Sequence, residues 1–134
     1  MPKKHLWPDN AACLLVADSE LRAEIGGVLS RAGLRFKVAA GDGAAVTALE
    51  REPFSVALVS HGLGPSAISS LIACANRRHP EVPVVVLGST STVEEAVEVM
   101  RRGAADYLPP PFDTQVMLLR VQRLLERPGD GGGV

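Results

Sequence analysis

The chain has 134 residues, 46% of them apolar and 22% charged, the size and balance of one globular domain with its own core. A formal net charge of −1 gives no electrostatic case for nucleic acid or an anionic membrane, and 4% aromatic residues leave no stacking surface for single-stranded nucleic acid. No apolar run reaches membrane-spanning length, and Lys3-Lys4-His5 lacks the long apolar stretch of a signal peptide, so a cytoplasmic location is expected. Residues 1–11 read as an N-terminal extension and 12–127 as the domain. The first strand is expected over 13–17, followed by a helix with Leu21, Ile25, Val28 and Leu29 at helical spacing and Gly33 as its stop. A second strand spans 35–39. Asp42 precedes a short helix over 44–51. A third strand covers 56–60, with a third helix over 65–77. The fourth strand is expected over 82–87. Ser91-Thr92-Val93-Glu94 is a capping-box pattern opening a fourth helix, with Val93, Ala96, Val97 and Met100 on one face. A fifth strand spans 106–108, and Asp113 caps a fifth helix in which Val116, Leu119, Arg120 and Leu124 recur. Residues 128–134 are Gly-rich and read as a flexible linker or tail.

The first, third and fourth strands are nearly continuous in Val, Leu and Ala, the composition of strands buried on both faces. Strands alternating with helices predict an α/β domain, a parallel sheet with helices on both faces. Cys13 and Cys74 each lie inside an apolar element, which predicts buried, reduced thiols; no metal-ligand spacing is present. In such folds ligands sit beyond the carboxyl ends of the strands. That directs attention to Ala17, Asp18, Ser60, His61, Gly88, Ser89 and the Pro109-Pro110-Pro111 turn. A Ser60–His61 dyad is disfavoured because neighbours on a strand point to opposite faces, so His61 reads as a surface loop histidine.

Three runs are specific: Glu95-Ala96-Val97-Glu98-Val99-Met100-Arg101-Arg102-Gly103-Ala104, then Asp106-Tyr107-Leu108, then Pro111-Phe112-Asp113. With them the chain resembles a bacterial response-regulator receiver domain from Leu14 to Leu125, and its 92–102 segment resembles receivers of enhancer-binding transcription activators. The resemblance implies a flavodoxin-like (CheY-like) fold, five parallel strands in order 2-1-3-4-5 with five helices. It also implies a phosphorylation pocket, and there the chain departs from the family. The acidic pair that holds magnesium is Ala17-Asp18, and Asp18 serves better as a helix cap than as a lone metal carboxylate. The phosphoacceptor aspartate is Ser60. The hydroxyl residue that bonds the phosphate is Gly88, with Ser89 and Thr90 one residue out of register. The lysine is Pro110, which has neither charge nor N–H. The loop Gly62-Leu63-Gly64-Pro65 keeps a Gly/Pro turn in another order. Tyr107 matches the aromatic that rotates when receivers switch, and the Pro110–Pro111 bond matches one that is cis in the family.

The sequence therefore reads as a degenerate receiver without aspartyl-phosphate chemistry. It is expected to act as a protein–protein interaction or regulatory module, not an enzyme, with no cofactor and no bound magnesium. Protein partners are expected: a second copy or a downstream effector domain. The resemblance puts the interaction face at Glu94, Glu98, Arg101, Arg102, Tyr107, Arg120 and Arg123. The rival readings are a receiver still modified by a partner kinase in a phosphorelay and a small-molecule sensor using the emptied pocket.

Overall fold

Five short, mostly apolar runs and five amphipathic stretches alternate along the chain, and in the computed structural model, which describes residues 7–89 and 92–126, each forms its element. In order these are β1 (Ala12–Val16), α1 (Ser19–Arg31), β2 (Arg35–Ala39), α2 (Asp42–Arg51), β3 (Val56–Ser60), a 3₁₀ turn (His61–Leu63), α3 (Pro65–Arg78), β4 (Val84–Leu87), α4 (Val93–Arg101), β5 (Asp106–Leu108) and α5 (Thr114–Glu126). All strand pairs are parallel, in the order β2-β1-β3-β4-β5, which is the flavodoxin-like arrangement. The chain order steps outward from β1 to the edge β2, then back across it to β3. That reversal leaves the carboxyl ends of β1 and β3 side by side.

Successive strand residues point to opposite faces, so each central strand feeds two cores. Leu14, Val16, Ala57, Val59, Val84 and Val86 pack on the side of α2, α3 and α4 with Leu49, Ile68, Ile72 and Val99. Cys13, Leu15, Leu58, Val85 and Leu87 pack on the other side with Ile25 and Leu29 of α1 and Met117 and Val121 of α5. The edge strand β2 is different, with Arg35, Lys37 and Val38 exposed. Helices α1 and α4 both close with a glycine at positive φ, Gly33 (82°) and Gly103 (110°). At the first, Leu34 N donates to Leu29 O and Gly33 N to Ser30 O; at the second, Ala104 N donates to Val99 O and Gly103 N to Met100 O. Both are Schellman closures that satisfy the last carbonyls of the helix.

Several boundaries and faces differ from the sequence expectations. Strand β1 runs one residue earlier, from Ala12 to Val16, and β4 begins at Val84, after Pro83. Helix α2 already includes Asp42, which lies in its first turn behind Gly41, and no side chain caps it. Helix α3 continues to Arg78. The cap of α4 is Thr92, whose hydroxyl accepts from Glu95 N at 3.3 Å; Ser91, expected to open the box, lies outside the described residues.

The apolar face expected on α4 is turned outward: Val93 is 73% exposed, Val97 47% and Met100 45%, while Val99 is the buried residue and Ala96 only partly covered. On α5 the buried seam is Met117 and Val121, and Leu119 is 54% exposed. The inward side of the first turn of α4 holds a carboxylate, Glu95, which rotates the apolar stripe out to solvent. No helix among the described residues is long and apolar enough to cross a membrane.

Candidate functional site

The carboxyl edge of the sheet is built from the ends of β1, β3 and β4. Ala17, fully buried, is a methyl group where a second carboxylate would sit. Asp18 follows and is exposed, and its Oδ1 accepts from Leu21 N at 3.0 Å, closing the first turn of α1. Its other oxygen, Oδ2, faces the neighbourhood of Gly62. Ser60 ends β3 and is 5% exposed, the one buried polar residue among those described. Its Oγ accepts from Gly62 N at 3.1 Å, so the hydroxyl caps the 3₁₀ turn that follows. A magnesium ion draws on several oxygen ligands in octahedral array. The donors offered here are the free oxygen of one capping carboxylate and a serine hydroxyl already engaged with the backbone. Among the described residues no group of three or more His, Cys, Asp or Glu is arranged to hold a metal ion.

Histidine 61 is not the loose surface residue its loop position suggested. Its side chain is 19% exposed and its Nδ1 lies 3.1 Å from Glu95 Oε2 and 3.3 Å from Ser89 Oγ. Glu95 also accepts from Ser89 N at 3.0 Å. These three side chains join the turn after β3, the residue after Gly88 and the first turn of α4 across the mouth of the site. Acid and hydroxyl both approach the same ring nitrogen, so the group is a tether rather than a catalytic relay, which needs the two partners on opposite nitrogens. Ser60 and His61 are not brought together. The tether was invisible in sequence, because the capping-box pattern was read on Ser91 and Glu94, and nothing local marks the turn of Glu95 toward His61.

Beside the site, Gly88 N donates to Leu108 O at 2.8 Å and extends the β4–β5 ladder. The ring of Tyr107 lies against the Cα of Gly88, filling the space a side chain there would take. Tyr107 is 8% exposed and belongs to the core, so it is no part of the exposed interaction face. Both carboxylate oxygens of its strand neighbour Asp106 accept from Arg120 Nη1 of α5, each at 2.8 Å, and Oδ1 also accepts from Tyr107 N at 2.8 Å. After β5 the peptide joining Pro110 to Pro111 is cis. The remaining face residues are exposed: Glu94, Glu98, Arg101, Arg102, Arg120 and Arg123. Arg102 Nε pairs with Glu98 at 2.7 Å along α4. Thr90 lies outside the described residues.

No protein-family model matches the chain. Among curated proteins it is similar to the response regulator protein FleR of Pseudomonas aeruginosa, 34% identical over 114 residues that cover 84% of this chain and 24% of the relative. It is similar as well to the nitrogen assimilation regulatory protein NtrX of Azorhizobium caulinodans, 30% identical over 118 residues that cover 84% of this chain and 26% of the relative. The chain thus spans about a quarter of the length of these relatives. Among solved structures, the receiver domain of NtrX from Brucella abortus matches with a TM-score of 0.76 at 29% identity, over 86% of this chain and 98% of that one. A two-component response regulator from Clostridium difficile matches in fold alone, with a TM-score of 0.79 at 16% identity over 90% of this chain and all of that one.

Proposed function

Starting from the CheY-like receiver domain of response regulators, where its fold and its relatives set this chain, we propose that it is a receiver without aspartyl-phosphate chemistry that works as a protein–protein interaction module. The observation that carries this reading is the joint state of four positions. Ser60 replaces the acceptor carboxylate and caps a turn; Ala17 offers no metal ligand; Gly88 offers no hydroxyl; Pro110 offers no cation. Phosphoryl transfer to a carboxylate depends on charge stabilisation by metal and cation acting together, and of that set only the capping carboxylate Asp18 remains. The chain then holds no magnesium, needs no cofactor and catalyses no reaction of its own. Incubation with acetyl phosphate and magnesium, read by intact mass, tests this. An unchanged mass is expected. Gain of one phosphoryl group would overturn it and return the chain to a phosphorelay.

A module with a silent pocket works through its surface. The surface that supports this lies on α4 and α5, where Val93, Val97, Met100, Val116 and Leu119 are exposed. A shallow groove on α5 is lined by Val116, Leu119, Arg120 and Arg123, apolar with a basic rim. The exposed stripe of α4 is apolar with an acidic rim, Glu94 and Glu98. These two strips complement each other in charge, and a two-fold contact would place α4 of each copy on α5 of the other, burying both. We take a second copy as the partner. NtrX is named as a nitrogen assimilation regulatory protein and FleR as a response regulator, and control of an effector segment in a longer polypeptide is the corresponding role for this chain. The small-molecule reading gains nothing from Gly88, since the Tyr107 ring takes up the space beside it.

A further inference from the structure

Ahead of β1 the chain joins no strand ladder, yet it is seated on the domain. Residues 7–11 turn at the amino end of the sheet, the end away from the altered pocket. Pairing of β1 with β2 begins only at Ala12 and Arg35. Pro8, Asp9 and Asn10 are exposed, while Ala11 is buried and Trp7 partly covered. The turn closes on itself, Ala11 N donating to Pro8 O at 3.1 Å. Asn10 holds φ at 66° and is the one non-glycine residue at positive φ among those described. Asparagine enters that region more readily than other side chains, and β-branched residues resist it.

This turn delivers Trp7 to the end of α1. The Schellman closure at Gly33 satisfies the carbonyls of Leu29 and Ser30, and that of the C-cap residue Ala32 takes a different donor. Trp7 Nε1 donates to Ala32 O at 2.8 Å. An indole N–H is a donor only and finds a partner when covered. The Trp7 side chain packs on the core between α1 and α5, the cluster that holds Leu29, Leu34, Met117 and Val121. Arg35 Nη2 adds one long, exposed contact to Asn10 O at 3.4 Å. Among the described residues, one indole seat and these two hydrogen bonds join the segment to the rest of the domain, against the continuous ladders that hold the strands.

We propose that residues 7–11 form a strap, with Trp7 as its plug, that closes the amino end of the core between α1 and α5 and opens as a unit of its own while the rest of the domain stays folded. Closed, it ties the chain ahead of β1 to the last turn of α1 and the start of β2. Open, it bares that end of the core and the Ala32 carbonyl to solvent. Segments with few buried apolar contacts open at a lower free energy than the domain that carries them. The strap uses no group of the altered pocket, so it stands whether or not the chain can be phosphorylated.

The chain has a single tryptophan, which makes the strap visible by itself. In a urea titration of the whole chain, indole emission and acrylamide quenching follow the strap, and far-ultraviolet circular dichroism follows the helices. A buried indole is expected without urea, passing to the solvated spectrum at a lower urea midpoint than the loss of helix. An indole solvated from the outset, or two transitions that coincide, would overturn a separate strap. Asn10→Val acts from outside the seat, since valine resists the left-handed backbone of the turn. This variant should show a solvated indole without urea and faster deuterium exchange at Gly33 and Leu34. Its helical midpoint should stay close to the parent's, with exchange in β3 and β4 unchanged. A buried indole in Asn10→Val, or loss of the whole fold, would count against the strap in the same way. Trp7→Phe keeps a ring in the seat without a donor. Exchange in the last turn of α1 should rise in Trp7→Phe and rise further in Trp7→Ala, and equal exchange in parent and both variants would show that the plug holds nothing.

Discussion

The Asp18 carboxylate works locally. One oxygen closes the first turn of α1 on Leu21 N, a bond worth about 1 kcal/mol at a helix N-terminus. Asp18→Ala should cost about that much in urea unfolding and Asp18→Asn only a fraction of it, because asparagine caps nearly as well. Magnesium should leave the midpoint of parent and variants unchanged. A midpoint raised by magnesium in the parent and lost in Asp18→Asn would show a metal site. Cys13 makes a second prediction at this scale. Full burial pushes its thiol from 9.0 up to about 12, against a smaller lowering by a backbone hydrogen bond from Leu58. Its folded value lies above its unfolded one, so the unfolded chain loses the proton first. The stability it contributes is complete below about pH 9 and falls as pH rises toward 12. Cys13→Ala should flatten that fall, measured as unfolding free energy against pH beside the parent.

At the scale of elements, α4 and α5 present apolar rows outward. Scattered exposed apolar residues are ordinary, but Val93, Val97 and Met100 recur at i, i+4 and i+7 and form one stripe. Replacing Val97 and Met100 together by lysine should change folding stability by no more than about 0.5 kcal/mol per site, as for other surface substitutions. It should abolish self-association in sedimentation equilibrium. Charge reversal of Arg120 and Arg123 on the facing groove should do the same. A parent that stays monomeric at high concentration removes the second copy as partner. Val99→Ala is the contrast within the same helix. It removes the one fully inward residue of α4 and should cost about 2 kcal/mol.

For the whole molecule, the sheet with its two cores is intact, while on the reading proposed above the chemistry at its carboxyl edge is gone. Such chemistry belongs to a set of groups, so it should not return one residue at a time. Ser60→Asp alone should remain unphosphorylated by acetyl phosphate with magnesium. Adding Ala17→Asp and Pro110→Lys supplies a second metal carboxylate and a cation, and this variant should begin to gain mass. Adding Gly88→Thr as well restores a hydroxyl but meets the Tyr107 ring. The four-site variant should therefore phosphorylate and also show a solvated tyrosine. Phosphorylation of Ser60→Asp at the rate of the four-site variant would mean that the other three groups do not matter.

Local sequence determined a large share of this. Short apolar runs placed the five strands, and helical spacing, caps and stops placed the five helices, because both signals are written in neighbouring residues. Continuous Val and Leu in β1, β3 and β4 marked the central strands, since only strands covered on both faces can be apolar throughout. Asp18 and Asp113 were legible as caps because a cap bonds within three residues of itself. The absence of acceptor, hydroxyl and cation at Ser60, Gly88 and Pro110 was legible once the resemblance set the frame. Tertiary structure alone decided the rest. Spacing shows that α4 has an apolar stripe, but not which arc of a short helix lying on a three-residue edge strand turns inward. That arc was taken by Val99 and by Glu95, drawn in by His61 across a separation of 34 positions in the chain. The seat of Tyr107 beside Gly88 joins residues from adjacent strands that meet only when β4 and β5 pair. Contacts of this kind depend on how elements are laid together, and no local repeat records them.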